Sequence, residues 1–557
     1  MADETQSSLQ NIEEESSVGP MSSQSLDEVS NSSEGQMNVP DYSDHQEQDI
    51  NSNEADQTEI NDEDMIRKGT VTSARFNILS TMVGGGSLSL PLAFHQAGKG
   101  FLGPVLLIFI AFIVKQSIHL LINAAILSHP MDDRPENIKY KGTKSFESVA
   151  FHAFGAKAKK FSMGLLSIIC FFTIVGYGVL LRDMLLPVSD MIFGPDANGN
   201  TGPSFHHNLT MLCIILLVTP LCTLRDLTPL ESVGAISMLS IMTVAGCITY
   251  RSYQCNFSPL YADMRKMEWY EYINYVPSRE YGLIGAFHDF LNALPIIMSV
   301  FMCHFNVLPV HNELCNPSPT RVKKLFASSI WGACAFYLFV GFSGSMYGNC
   351  TEDGKVEGNV LLSFDEDDSL LMIGRICLSL TITAAFPILV VPCRDVVIRA
   401  LEESHTGDTD TDNGDLDESM IEPLLSGTEQ DHNNSKSENA YRRKVISIAI
   451  FWLGAILASF VESIDIVWDI LGGSLSLIMG FLLPSASFLV ISKLVPIYAN
   501  NETNASEQGL EQQQNEQVDG DSSNFTECLD RRFACLLIFL IVPIMILLTC
   551  NAIYNIA

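Results

Sequence analysis

Basic residues are scarce in this chain: 32 Lys and Arg stand against 64 Asp and Glu, leaving a net charge of -32. The first 66 residues contain no Lys or Arg at all. A surplus of acid this large excludes a nucleic-acid-binding role, because the phosphate backbone repels it. Metal chemistry is equally unsupported. Fourteen Cys include no CxxC and no His/Cys cluster at ligand spacing, and no nucleophile–base constellation suggests an enzyme. A basic stretch followed by a short apolar core is also missing near Met1, so no cleaved signal peptide is expected and the first membrane helix serves as the insertion signal. No resident cofactor is implied. What the chain does have is apolar length: 47% of its 557 residues are hydrophobic.

Charge and hydropathy are segregated along the chain. Residues 1–66 are rich in Ser, Asn, Gln and acid, and the stretches 401–440 and 497–530 repeat that character. Such segments bury too little apolar surface to offset ordering entropy and are expected to be disordered. Between them lie eleven runs of about 20 apolar residues, the length needed to cross a bilayer. Ten spans form a core over 67–496, and residues 531–557 carry an eleventh. Clusters at Arg67-Lys68-Arg75, Lys139–Lys160, Arg321–Lys324, Arg442–Lys444 and Arg531-Arg532 fall on one side if the spans alternate. That side is expected to be the cytosol, with the N-terminus in it. Ten spans divide into two groups of five, and an odd group size makes the second group inverted relative to the first, as in inverted-repeat carriers.

The first span carries its own interruption. Its centre reads Ser80-Thr81-Met82-Val83-Gly84-Gly85-Gly86-Ser87, and each glycine costs a helix roughly 0.8–1 kcal/mol against alanine. Unwound backbone at membrane depth is tolerated only against protein or a water-filled cavity. Bare amides and carbonyls there suit a zwitterion or a cation. Thr81, Met82, Val83, Gly84, Gly85, Gly86 and Ser87 are therefore candidate substrate contacts; the packing alternative is that the glycines merely let helices approach. Ser299, between Pro295 and Pro309 of the sixth span, is another candidate contact. Tyr177, in Gly176-Tyr177-Gly178, either lines the same cavity or packs on its small neighbours. Ser80, Thr381 and Thr383 are candidates for a coupling cation, with hydroxyls bonded to their own helices as the alternative. Thr381 and Thr383 do not share a helix face. His304 is a candidate pH sensor. Arg182-Asp183, Arg375, Glu462, Asp465 and Asp469 fall near span ends, where snorkelling suffices; Asp469 is the best placed of them to carry a proton.

These residues point to a family. Asn77–Pro91 (NILSTMVGGGSLSLP) resembles the first-helix signature of the amino acid/auxin permease family, which includes sodium-coupled neutral and vacuolar amino acid transporters. Ala293–Leu314, the run AAFPILVVPCRDVV and the run WDILGGSLSLIMGFLLPSASFL resemble the same family's sixth, eighth and tenth spans, in order across about residues 70 to 495. The resemblance implies a leucine-transporter-type all-α polytopic fold, an inverted repeat of 5+5 helices plus an eleventh, with substrate near the membrane centre. One position departs: where sodium-coupled members carry Asn, this chain has Ser80, a weaker Na⁺ ligand. The coupling ion is left open between Na⁺ and H⁺.

The expected function is secondary active transport of amino acids, neutral ones first, by symport with alternating access in the lipid bilayer. The alternative is an amino-acid sensor signalling through residues 1–66, which could bind cytosolic regulators. Cys255 and Cys350 fall in loops on the same side, where an oxidising compartment permits a bridge, and the resemblance also suggests that link. Asn256 and Asn349 begin glycosylation sequons there. The membrane is expected to be vacuolar or lysosomal, or the plasma membrane.

Overall fold

The computed structural model describes residues 70–128, 145–193, 205–223, 233–276, 282–315, 318–365, 368–405, 429–506 and 520–556. The expected tail 1–66 and parts of the two acidic stretches lie outside the described residues. The described elements are helical throughout. Helix α1 (Val71–Met82) and α2 (Leu90–Ala97) flank a 3₁₀ turn at Gly85–Ser89. They are followed by α3 (Leu102–Leu127), a short α4 (Phe146–Phe154) and the long α5 (Ala156–Phe193). Next come α6 (Phe205–Cys222), α7 (Val233–Phe257), the one-turn α8 (Trp269–Tyr272), α9 (Gly282–Ser299) and α10 (His304–Glu313). The chain ends through α11 (Pro319–Tyr347), α12 (Ser369–His405), α13 (Glu429–Phe460), α14 (Ile464–Ile470), two π-helical turns at Leu471–Leu475 and Ile478–Leu482, α15 (Leu483–Ser506) and α16 (Gly520–Ile556).

Among the described residues, eight helices are long and apolar enough to cross a membrane. The other three expected spans are the interrupted first, the shorter apolar Leu209–Cys222 and α7. Helices also enter the stretches expected to be disordered, since α15 reaches Ser506 and α16 begins at Gly520. Once a span is nucleated, adding each further residue costs little, so the helix runs on into polar sequence. Among the described residues two spans are broken, the first and the sixth. They lie five apart, which is the spacing a repeat of five spans produces.

One end of the bundle is closed by a polar cap. Asn349 donates to Asn256 Oδ1 (3.1 Å) and to the Met267 carbonyl (2.8 Å), while Asn256 donates to the carbonyls of Ser252 (2.9 Å) and Met346 (3.0 Å). Both side chains are buried. The two sequon asparagines therefore form an internal lock, and a glycan on either requires that lock to open. Cys255 and Cys350 are paired beside it, their Cα atoms 6.1 Å apart. The lock positions α8, whose Tyr272 covers Lys99. Lys99 is fully buried: its ammonium lies 4.1 Å from the Tyr272 ring centroid and donates to the Tyr275 carbonyl at 2.8 Å. Burial pulls the Lys99 pKa down to about 7.

Candidate functional site

The first span breaks where its glycines stand. Helix α1 closes with the Val83 amide on the Leu79 carbonyl (2.7 Å), and Gly84 is extended at φ -131, ψ -153. Pro91, lacking an amide proton, sits in the opening turn of α2, where that loss is harmless. Space, more than backbone freedom, demands the glycines. A Cβ on Gly84 would stand 2.8 Å from the Tyr177 hydroxyl oxygen, and one on Gly85 would overlap Leu180 Cδ1. The Tyr177 ring meets Phe386 of α12 edge-on, with centroids 6.3 Å apart.

The sixth span breaks opposite. Helix α9 stops at Ser299 and α10 starts at His304. Between them the Val300 carbonyl accepts from Tyr337 Oη at 2.7 Å. A Cβ on Gly86 would lie 3.3 Å from Val300 Cγ1 and 3.7 Å from the Trp468 ring. The two interruptions thus face each other, walled by Tyr177 and Leu180 of α5, Phe386 of α12 and Trp468 of α14. The Trp468 indole nitrogen has no hydrogen-bond partner among the described residues.

The candidate hydroxyls share one behaviour. Ser80 donates to the Asn77 carbonyl (3.0 Å), Ser87 to Gly84 (2.8 Å), Ser299 to Ile296 (2.9 Å) and Thr381 to Cys377 (3.1 Å). With its proton spent on the backbone, a hydroxyl presents only lone pairs outward, which suits an ammonium or a cation and not a carboxylate. Thr81 is used twice: it donates to the Asn77 carbonyl (2.8 Å) and accepts from Asn306 of α10 (2.9 Å). Asn306 also donates to Asn77 Oδ1 (3.0 Å), so Thr81 serves as a tie between the two broken spans. Met82 and Val83 are buried. No hydrogen bond joins Ser80 to Thr381 or Thr383 among the described residues, and Thr383 is simply buried.

His304 is fully buried against Phe481 of the second π turn, with ring centroids 5.9 Å apart, and neither ring nitrogen has a hydrogen-bond partner among the described residues. Arg182 and Asp183 do not snorkel. Both are buried, and Arg182 binds Asp183 Oδ1 (2.9 Å) together with the carbonyls of Ala458 (3.2 Å), Val461 (2.7 Å) and Glu462 (3.1 Å). A guanidinium there offsets the negative end of α13. The junction residues missed by sequence reading are Leu180, Val300, Phe386, Trp468 and Asn306. Four are large apolar or aromatic residues with no signal against ordinary packing; Asn306, a polar residue within a span, was the legible one.

A multi-pass membrane protein whose two broken helices meet at an aromatic-walled junction belongs to the class of membrane carriers with discontinuous helices. Comparison with known families makes this specific. The profile of the family described as transmembrane amino acid transporter protein matches residues 67–499, and the chain belongs to that family. It is 24% identical to vacuolar amino acid transporter 5 of Schizosaccharomyces pombe over 438 residues, covering 78% of this chain and 88% of that protein. It is 26% identical to human solute carrier family 38 member 10 over 333 residues, which is 60% of this chain but only 26% of that longer protein. Among solved structures, Mhp1, a nucleobase-cation-symport-1 family transporter in a closed conformation with bromovinylhydantoin bound, aligns over 87% of this chain and 94% of its own with TM-score 0.48 and 10% identity.

Proposed function

We propose that the chain is a secondary carrier that moves neutral amino acids by alternating access, holding the solute where the breaks at Gly84–Ser87 and Ser299–Cys303 meet. The observation that carries this reading is the apposition of Gly86 and Val300 beneath Tyr177 and Trp468. Backbone amides opening the 3₁₀ turn suit the solute carboxylate, and the outward lone pairs of Ser87 and Ser299 suit its ammonium. The side chains that wall the junction bear no formal charge, which favours a solute whose own side chain is neutral. The carrier works in symport with H⁺ or Na⁺. The vacuolar relative supports placing it in a vacuolar or lysosomal membrane. Uptake into proteoliposomes, with a panel of amino acids under imposed Na⁺ or pH gradients, tests the whole reading. Flux of neutral amino acids driven by one of the gradients is expected; no flux of any amino acid refutes it.

A further inference from the structure

One face of α7 is left open by its neighbours. The helix packs against α11 and α12, and the side chains turned away from them recur at helical spacing. Ile236, Leu239 and Met242 come first on that exposed face; Tyr250, Tyr253 and Phe257 follow two turns on. The order has a physical meaning. Aliphatic side chains give way to aromatic ones, as on a helix that passes from hydrocarbon into the headgroup layer, where Tyr and Trp concentrate. From Ile236 to Phe257 a helix rises roughly 30 Å, about the thickness of the hydrocarbon core. The chain therefore leaves α7 at headgroup level.

The apolar surface does not stop with the helix. The Phe257 ring meets Tyr253 (centroids 5.2 Å) and reaches Trp269 (5.8 Å), which stands edge-on to Tyr270. Between these rings, a 3₁₀ turn at Pro259–Tyr261 and the residues after it leave Leu260 83% and Met264 60% exposed. Single exposed apolar side chains are ordinary, whereas a continuous run of them marks a surface that something covers. Continuity with the open stripe of α7 identifies the cover as the bilayer.

Charge narrows the lipid. Arg265 and Lys266 turn their cations inward, to the carbonyls of Asn256 (2.6 Å) and Glu352. Asp263, Glu268 and Glu271 are exposed on the same segment. An anionic leaflet repels those carboxylates. A zwitterionic leaflet offers choline ammoniums, which are drawn to carboxylates and to aromatic faces alike.

The inner side of the segment is committed to the protein. Tyr272 is buried over Lys99, and a Cβ on Gly100 would lie 3.2 Å from the Ile273 carbonyl oxygen. The turn that carries them is closed by the Tyr272 amide on the Glu268 carbonyl (2.9 Å) and the Ile273 amide on the Trp269 carbonyl (3.0 Å). Trp269 and Tyr272 thus share one turn, with the indole facing out and the phenol facing the end of the first span.

We propose that residues 258–270 form a leaflet-binding surface, which lies in the headgroup layer of a zwitterionic phospholipid membrane and pins α8 over Lys99. Leu260, Met264 and Trp269 are its anchors. The inference holds whichever solute the carrier takes, and its test needs no transport.

The full chain is placed in phosphatidylcholine nanodiscs, where both faces are open to water. The emission of Trp269 is obtained as the difference between wild type and Trp269→Phe, which cancels the other three Trp. That emission is expected to be quenched by phosphatidylcholine brominated near the headgroup end of its acyl chains, and more weakly by aqueous iodide. Iodide quenching equal to or stronger than the lipid's overturns the proposal, because the segment then stands in water. Shielding from both quenchers also overturns it, because a second copy or another protein then covers the surface. Pinning is read by hydrogen exchange of residues 268–275. Keeping one large apolar side chain out of water is worth a factor of roughly ten or more, so Leu260→Ser/Met264→Ser should speed that exchange by at least about tenfold. Unchanged exchange in the folded double variant overturns the proposal. Should the variant fail to fold, wild type supplies the same readout: exchange is expected to be slower in phosphatidylcholine than in phosphatidylglycerol, and equal or reversed rates overturn the proposal.

Discussion

Placing a single methyl in the first-helix break should disable transport while leaving the fold in place. Gly85→Ala sets a Cβ onto Leu180 Cδ1 and 3.4 Å from Tyr177 Cε1. By propensity alone, alanine would favour a continuous helix by about 1 kcal/mol. Overpacking of this kind costs about 1–3 kcal/mol, and both effects push the 3₁₀ turn away from Tyr177. Each 1.4 kcal/mol is a factor of about 10, so uptake efficiency should fall roughly 5- to 150-fold. The Leu180→Val variant lacks the offending methyl, so Gly85→Ala/Leu180→Val should recover much of the loss, with a coupling energy of about 0.5–3 kcal/mol. The assay is the initial rate of amino acid uptake into proteoliposomes, with detergent-phase melting as a check on folding. Wild-type uptake by Gly85→Ala, or a double variant no better than the sum of the singles, would refute the reasoning.

Other consequences are as direct. Tyr177→Phe removes the hydroxyl facing Gly84; losing a buried polar contact of this kind costs about 1–3 kcal/mol and should appear as a raised KM in the same assay. Asn306→Ala deletes the bonds to Asn77 and Thr81, worth about 0.5–1.5 kcal/mol each, and should lower the melting temperature and loosen α1, read as faster labelling of a cysteine placed on α1. Lys99 has a folded pKa of about 7 against an ordinary 10.5, so the capped state binds fewer protons than the open one. Its burial penalty is full below pH 7 and is relieved as pH rises, by at most about 1.4 kcal/mol per unit; melting between pH 6 and 9 should rise with pH, and Lys99→Met should flatten that rise. The Cys255–Cys350 pair closes a loop of sequence separation 95, for which chain entropy gives about 4–5 kcal/mol; Cys350→Ser should melt well below wild type under non-reducing conditions, and an unchanged midpoint would deny the bridge.

The chain's own order of residues determined where it crosses the membrane and where a crossing fails. Both are local properties: apolar run length sets the spans, and three adjacent glycines before Pro91 set the break. The identity of the family was legible for the same reason, in the motif Asn77–Pro91 and its companions. Partnerships were not legible. Whether Thr81 meets a solute or ties α1 to Asn306 depends on a residue 225 positions away. Arg182 reads as a snorkelling cation until α13, some 276 positions on, brings its terminal carbonyls to it. Asn256 and Asn349 read as glycan acceptors until packing turns them toward each other. A side chain's hydrogen bonds are settled by what the folded bundle places within about 3 Å of it, and in a helical membrane protein those neighbours come from spans far apart in the chain.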